Sequence, residues 1–207
     1  MDNRIIITIA RQYGSGGREI GELVAKGLNI PIYDRQLITE AASKGNLNEE
    51  VIRKADESSA NSLLYTLAMG SNTLGAAMHF GYKMPLNDKL FLLQSEVIRE
   101  YAEKGSGVFI GRCADYVLRE QKNLLRIFIY GDLAHRQERI LARHPELKSS
   151  QVIDAISKTD KRRSTYYNFY TGNKWGKFDN YDLTINSSTM GIEGTANLII
   201  DVAKKRM

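Results

Sequence analysis

RIIITIARQYGSGGR, residues 4–18, sets an apolar β-branched run directly against a glycine-rich loop, and REIGELVAKGLNI, residues 18–30, follows with helical spacing. Strand, glycine loop and helix form the arrangement that binds phosphate. Glycine lets the backbone turn its N–H groups inward, and the helix N-terminus adds a favourable dipole. Arg11, Gly14, Ser15, Gly16, Gly17 and Arg18 are therefore the candidate phosphate ligands. The stretch departs from the consensus G-x-x-x-x-G-K-[ST], in which Lys reaches the β/γ-phosphates and the hydroxyl holds Mg²⁺. With Gly16 as the second glycine, Gly17 and Arg18 stand at the Lys and hydroxyl positions; with Gly17, Arg18 and Glu19 do. In both registers Arg11 or Gln12 replaces the first glycine. A turn that only joins strand to helix is the alternative reading.

The chain has 207 residues, enough for one domain with a sizeable core. Its 43% hydrophobic and 26% charged residues are ordinary for a globular protein and exclude the disordered classes. IIITIA is far too short to span a bilayer, so no membrane role is expected. MDNRIIITIARQ lacks the pattern of a secretory signal. A single cysteine, Cys113, excludes an intrachain disulfide and fits a reducing, cytoplasmic setting. Net charge is +5, with basic residues gathered at 136–143 and 158–163, which suits an anionic ligand. The charge forms no continuous patch, so nucleic acid is not the expected partner. His79, His135 and His144 show no metal-ligand spacing.

Short apolar runs predict strands at 4–10, 30–34, 107–111, 124–130 and 181–186. Helical patterns are expected at 18–28, 35–44, 48–60, 61–80, 87–104, 112–120, 132–143, 150–168 and 190–205. Asn87-Asp88 and Asp132 read as helix caps. Strands alternating with helices predict a parallel α/β sheet with right-handed crossovers. Residues 39–105 contain no convincing strand and read as a helical insertion.

IARQYGSGGREIGELVAKGLNIPIYDRQLI, GVFIGRCADYVL, RIFIYGDLAHRQERI, KTDKRRSTYYNFYTGNKWGKFDNYDLTINSS and GIEGTANLI occur in that order. Together they resemble the P-loop nucleoside monophosphate kinases, most closely the cytidylate-kinase-like family. The resemblance implies a P-loop kinase fold over residues 1–207, with a five-stranded parallel sheet flanked by helices. It also implies a helical acceptor-binding insertion over about 39–105 and a basic lid over about 132–170. Asp34 is retained where the family binds its acceptor, whereas Arg35 and Gln36 replace a small pair. Gly111 and Arg112 match a segment whose Arg contacts the monophosphate, with Cys113 where an Asp is usual and Asp115 two residues on. Arg136, Arg139 and Arg143 recur at helical spacing and, with Lys158, Lys161 and Arg162, match basic residues that close over phosphates. Asp160 with Arg162 or Arg163 resembles an Asp–Arg pair near the acceptor nucleotide.

The expected function is transfer of the γ-phosphoryl of ATP, with Mg²⁺, to a small acceptor, first among them a nucleoside monophosphate such as CMP. Arg18, Arg136, Arg139 and Arg162 are the expected catalytic residues; Asp34, Arg35, Arg112, Asp160 and Arg163 the acceptor ligands. The metal ligands and the oligomeric state stay open. Two alternatives remain: a kinase for a different acceptor, and a nucleotide-binding sensor without catalysis, suggested by the missing Lys and hydroxyl.

Overall fold

The computed structural model of the protein describes residues 4–34, 36–45 and 85–207. The predicted helices at 48–60 and 61–80, and most of the 39–105 insertion, lie outside the described residues. The chain divides into two compact units, residues 1–34 with 98–207, and residues 35–97.

In the first unit, five strands follow the expected positions: β1 (Ile6–Arg11), β2 (Ile32–Tyr33), β3 (Gly107–Ile110), β4 (Leu124–Tyr130) and β5 (Leu183–Asn186). All pair in parallel, in the order β2-β3-β1-β4-β5. β1 is central because it is apolar on both faces: Ile5, Ile7 and Ile9 are fully buried and Ile6 nearly so. β2 is shorter than the predicted 30–34. Pro31 accepts a bond from Val108 N–H (2.9 Å) but has no N–H to offer the ladder.

The helices of this unit are α1 (Gly17–Leu28), α4 (Ala114–Val117), α5 (Leu133–Arg143), α6 (Ser149–Thr171) and α7 (Ser187–Arg206); α1 and α7 pack on the sheet, while α5 and α6 pack on each other. On α1, Ile20, Gly21, Val24 and Ala25 are buried, a stripe at three- and four-residue spacing that faces the core. Its end is set by Asn29 at φ 52°, with Ile30 N–H donating to the Ala25 carbonyl (3.0 Å), the left-handed stop that Asn tolerates. Asp132 precedes α5, but its side chain makes no cap; instead its Oδ1 accepts from Asn186 Nδ2 at 3.1 Å. The predicted helix at 112–120 shrinks to the single turn of α4, because Arg112 and Cys113 take positive φ and break the helical run.

α2 (Gln36–Lys44) belongs to the second unit, and α3 (Leu86–Lys104) runs from it into the first. α3 starts at Leu86, with the Asp88 and Lys89 amides donating to the Pro85 carbonyl, so Asn87-Asp88 lies inside the first turn rather than capping it. Within the second unit Lys44 pairs with Glu96 (3.8 Å). Among the described residues no helix is long and apolar enough to cross a membrane.

α1 lies close to the sheet because Gly21 has no side chain: a Cβ there would sit 2.6 Å from Ile110 Cδ1 and 3.3 Å from Ile9 Cδ1. Gly21→Val is expected to overpack this contact and destabilise the fold by about 1–3 kcal/mol, read from urea unfolding midpoints.

Candidate active site

Residues 12–16 connect β1 to α1 at the C-terminal edge of the sheet, where ligands bind in open α/β folds. Gly14 (φ 81°) and Gly16 (φ 76°) are left-handed while Ser15 between them is not. That alternation produces a concave run of amides of the kind that holds anions. The Gln12 and Tyr13 amides are engaged, donating to the Ile129 carbonyl (2.9 Å) and to Asp160 Oδ1 (2.7 Å). The amides of Gly14, Gly16 and Gly17 make no hydrogen bond among the described residues. Ser15 is fully buried. Its hydroxyl donates to the Gln12 carbonyl (2.9 Å), with the Ile129 carbonyl at 3.3 Å, and its own carbonyl accepts from Ser187 Oγ (2.7 Å). Ser15 thus shapes the loop through its side chain, and its amide donates to the Gln12 carbonyl (3.4 Å).

Two helices reach the loop from the other side. Asp160 on α6 receives Tyr13 N–H on one oxygen and Arg136 Nη1 (2.6 Å) on the other, while the same Arg136 nitrogen donates to the Tyr13 carbonyl (3.1 Å). Gly14 lies so close to α5 that a Cβ would stand 2.9 Å from the Arg136 carbonyl. Glu19, in the first turn of α1, accepts from Arg139 Nη2 and Arg143 Nη2, both at 2.7 Å. Arg136 Nε and Arg139 Nε are buried without a hydrogen-bond partner among the described residues. Arg162 and Lys158 are exposed and make no ion pair among the described residues.

The third wall follows β3. Gly111, Arg112 and Cys113 have φ of 71°, 58° and 55°. Two non-glycine residues in that region store about 1–3 kcal/mol each, and such strain gathers at functional sites. The turn is held from below by Asp115, whose Oδ2 accepts from Tyr167 Oη (2.7 Å) on α6. Burial pushes the Asp115 carboxyl above its ordinary value, partly offset by the Tyr167 bond. Burial, then Asp115, also pushes the Cys113 thiol up, so it is packing and not a nucleophile.

Four guanidinium groups meet between these walls. Arg11 is pulled down to about 9 by burial first, then by Arg163, with Arg112 and Arg18 adding to the effect; Asp34 alone opposes it. Arg163 is lowered by its own burial, and its Nη1 donates to the Arg11 carbonyl (2.9 Å). Arg18 is half exposed and bridges Glu22 (3.1 Å) and Asp34 (3.2 Å). Arg35 lies outside the described residues. The structure therefore brings Arg11, Arg18, Asp34, Arg112 and Arg163 to one place and Arg136, Arg139 and Asp160 to the adjoining one. No group of three or more metal-ligating side chains occurs among the described residues. Glu19, which stands at the hydroxyl position in one of the two registers, accepts from two arginines.

From residue 6 to residue 189 the chain matches the model of the cytidylate kinase-like family. The protein belongs to that family. No curated protein matches the chain. Among solved structures it is similar to an uncharacterized protein from Eubacterium ventriosum ATCC 27560, at 26% identity and TM-score 0.72, covering 97% of this chain and 98% of that one. It is also similar to shikimate kinase from Bacteroides thetaiotaomicron (14% identity, TM-score 0.53, 96% and 97% covered). A gluconokinase from Sinorhizobium meliloti 1021 aligns at 14% identity and TM-score 0.50, over 100% and 93%. The last two show the P-loop kinase fold. Family and fold together support nucleotide-dependent phosphoryl transfer to a small substrate.

Sequence reasoning missed Tyr13, Glu19 as an arginine tether, and the Asp115–Tyr167 bond. Tyr13 acts through its backbone, which no side-chain pattern reports. Tyr167 and Asp115 stand 52 residues apart, and no spacing rule connects them.

Two outcomes are expected of this kinase-like site. Asp160→Ala strands the buried Arg136 and costs about 1.5–3 kcal/mol, measured by urea unfolding. A carboxyl raised in the folded state makes stability fall as pH climbs from the unfolded value through the folded one. Asp115→Asn, which keeps an acceptor for Tyr167, should therefore gain in melting temperature over wild type as pH goes from about 4 to about 7, by scanning calorimetry.

Proposed function

We propose that this protein transfers the γ-phosphoryl of ATP, supplied as its Mg²⁺ complex, to a nucleoside monophosphate, with CMP the first acceptor to test. The observation that carries the reading is the cradle of Gly14, Gly16 and Gly17 amides at the N-terminus of α1 beside the clustered Arg11, Arg18, Arg112 and Arg163. Such an arrangement is stabilised by an anion of high charge density, and two phosphate groups brought together supply it.

In this reading the amides of residues 14–18 hold the β-phosphate of the donor. Mg²⁺ arrives with the nucleotide and is held by its phosphates. Arg112, on its strained turn, with Asp34 and Arg35, orients the acceptor, and Asp160 and Arg163 border it. Arg18, Arg136, Arg139 and Arg162 surround the transferred group with positive charge. The β–γ bridging bond breaks, its electron pair leaving with the diphosphate. An oxygen of the acceptor phosphate, already ionised at neutral pH, forms the new bond, so no general base is required. Arg136 contributes by position: its bonds to Asp160 and Tyr13 keep α5 against the loop.

The test is an acceptor screen by diphosphate release, with Mg²⁺ and ATP, over the nucleoside monophosphates. Sugar and sugar-acid hydroxyl acceptors serve as the other arm. The expected result is turnover with a pyrimidine monophosphate and a loss of about a hundredfold in kcat/KM for Arg112→Ala. Absence of turnover with every monophosphate overturns this reading. Turnover confined to a hydroxyl acceptor replaces it with the second kinase reading, and nucleotide binding without any turnover replaces it with a sensor.

A further inference from the structure

Arg11 ends β1, the central strand, and its side chain does something the loop consensus does not ask of that position. Its Cβ and Cγ lie over Gly17: a Cβ on that glycine would stand 2.5 Å and 2.9 Å from them. Its far end lies over Gly111, where a Cβ would meet Nη1 at 2.0 Å and Cζ at 3.2 Å. The side chain therefore stretches from the phosphate loop to the turn that carries Arg112, in a slot open only because both positions are glycine.

A guanidinium part-buried in such a slot normally spends its five donors on carboxylates, carbonyls or water. That of Arg11 makes no hydrogen bond or ion pair among the described residues. The charged groups that face it are Arg163 from α6, Arg112 from the turn after β3, Arg18 from α1, and Asp34 from the end of β2. Asp34 is already bridged by Arg18 at 3.2 Å. A part-buried cation that faces three other cations and a single carboxylate already shared with Arg18 is costly. The arrangement becomes favourable when an anion enters.

Arg18, the residue next to the loop glycines, is placed differently. It is half exposed and spends its Nε on Glu22 and Asp34. Arg139 and Arg143 are tethered by Glu19. Among these arginines Arg11 combines a part-buried slot, donors without a partner among the described residues, and a position between the donor loop and the Arg112 turn.

We infer that Arg11, and not Arg18, takes over from the absent loop lysine, its guanidinium lying between the donor phosphates and the acceptor phosphate. This rests on the phosphoryl-transfer reading above. Arg11 performs no covalent step. It offsets charge on the bridging oxygen that leaves and on the phosphoryl group in flight, while the bonds broken and formed are those already given. Its rigid fork spans two oxyanions, which a lysine ammonium does less well.

The experiment is a titration of the full chain with inorganic pyrophosphate by calorimetry, on wild type, Arg11→Met, Arg11→Lys and Arg18→Met, with melting temperatures recorded before ligand is added. The unliganded Arg11→Met protein is expected to melt at or above the wild-type temperature, since an uncompensated charge is gone. Its pyrophosphate affinity should fall at least about tenfold and further than that of Arg18→Met, with Arg11→Lys between it and wild type. With ATP and the acceptor found in the screen, kcat should fall at least about a hundredfold. If Arg11→Met fails to fold, the same comparison between Arg11→Lys and Arg18→Met decides. The inference is overturned if wild type binds pyrophosphate while the Arg11 variants bind as well as it does, or lose no more than Arg18→Met. If wild type itself binds no pyrophosphate, the phosphoryl-transfer reading falls and takes this inference with it.

Discussion

The Asp160 carboxylate accepts the Tyr13 amide on one oxygen and the Arg136 guanidinium on the other, and Arg136 in turn donates to the Tyr13 carbonyl. A closed ring of this kind joins the loop after β1 to α5 and α6 at one residue. Everything proposed for the loop requires that it keep its shape, and a glycine-rich segment loses more backbone freedom on ordering than any other. The ring, with the inward-facing Ser15 hydroxyl and the Ser187 bond to the Ser15 carbonyl, supplies that order without using the Gly14, Gly16 and Gly17 amides. The donors left over are those an anion needs.

Around this fixed loop the molecule accumulates strain and charge that a purely structural edge would shed. Arg112 and Cys113 hold left-handed backbone, anchored by a buried Asp115–Tyr167 bond. Arg11 and Arg163 are part-buried at some expense of their solvation. Each cost is local to the C-terminal edge of the sheet, while the core beneath is ordinary close-packed isoleucine, leucine and valine. That separation, a rigid apolar base carrying an electrostatically unsatisfied rim, is what pre-organisation requires. Donors already oriented need no reorganisation when charge develops between them. Glu19 adds a further element, holding Arg139 and Arg143 over the loop from the position where related loops carry a hydroxyl.

Much of this was legible in one dimension. The apolar runs at 4–10 and 124–130 became the two strands with the longest mutual register, because buried parallel strands must be apolar on both faces. Asp34 and Arg112 were identified from their places at strand ends and do lie there. Other readings needed the fold. The helix expected over 112–120 was cut to one turn because Arg112, a good helix former, and Cys113 were taken into left-handed backbone by the turn they serve. Asp132, a cap by its residue type, turned instead to Asn186 from the neighbouring strand end. Arg18 stands directly after the loop glycines, and only the fold shows that it pairs with Glu22 on α1 and with Asp34 just after β2.

By itself the amino-acid order determined the alternation of strand and helix, the glycine loop at the first crossover and the basic character of the segments that pack near it. These depend on local periodicity and on residue chemistry, both of which survive in a linear string. Only the tertiary structure decided which guanidinium is paired and which is left without a counter-charge, since pairing is a competition among groups as far apart in sequence as Arg11, Asp34, Arg112 and Arg163. The outcome of that competition is set by distance and solvent exclusion, and neither exists until the chain has folded.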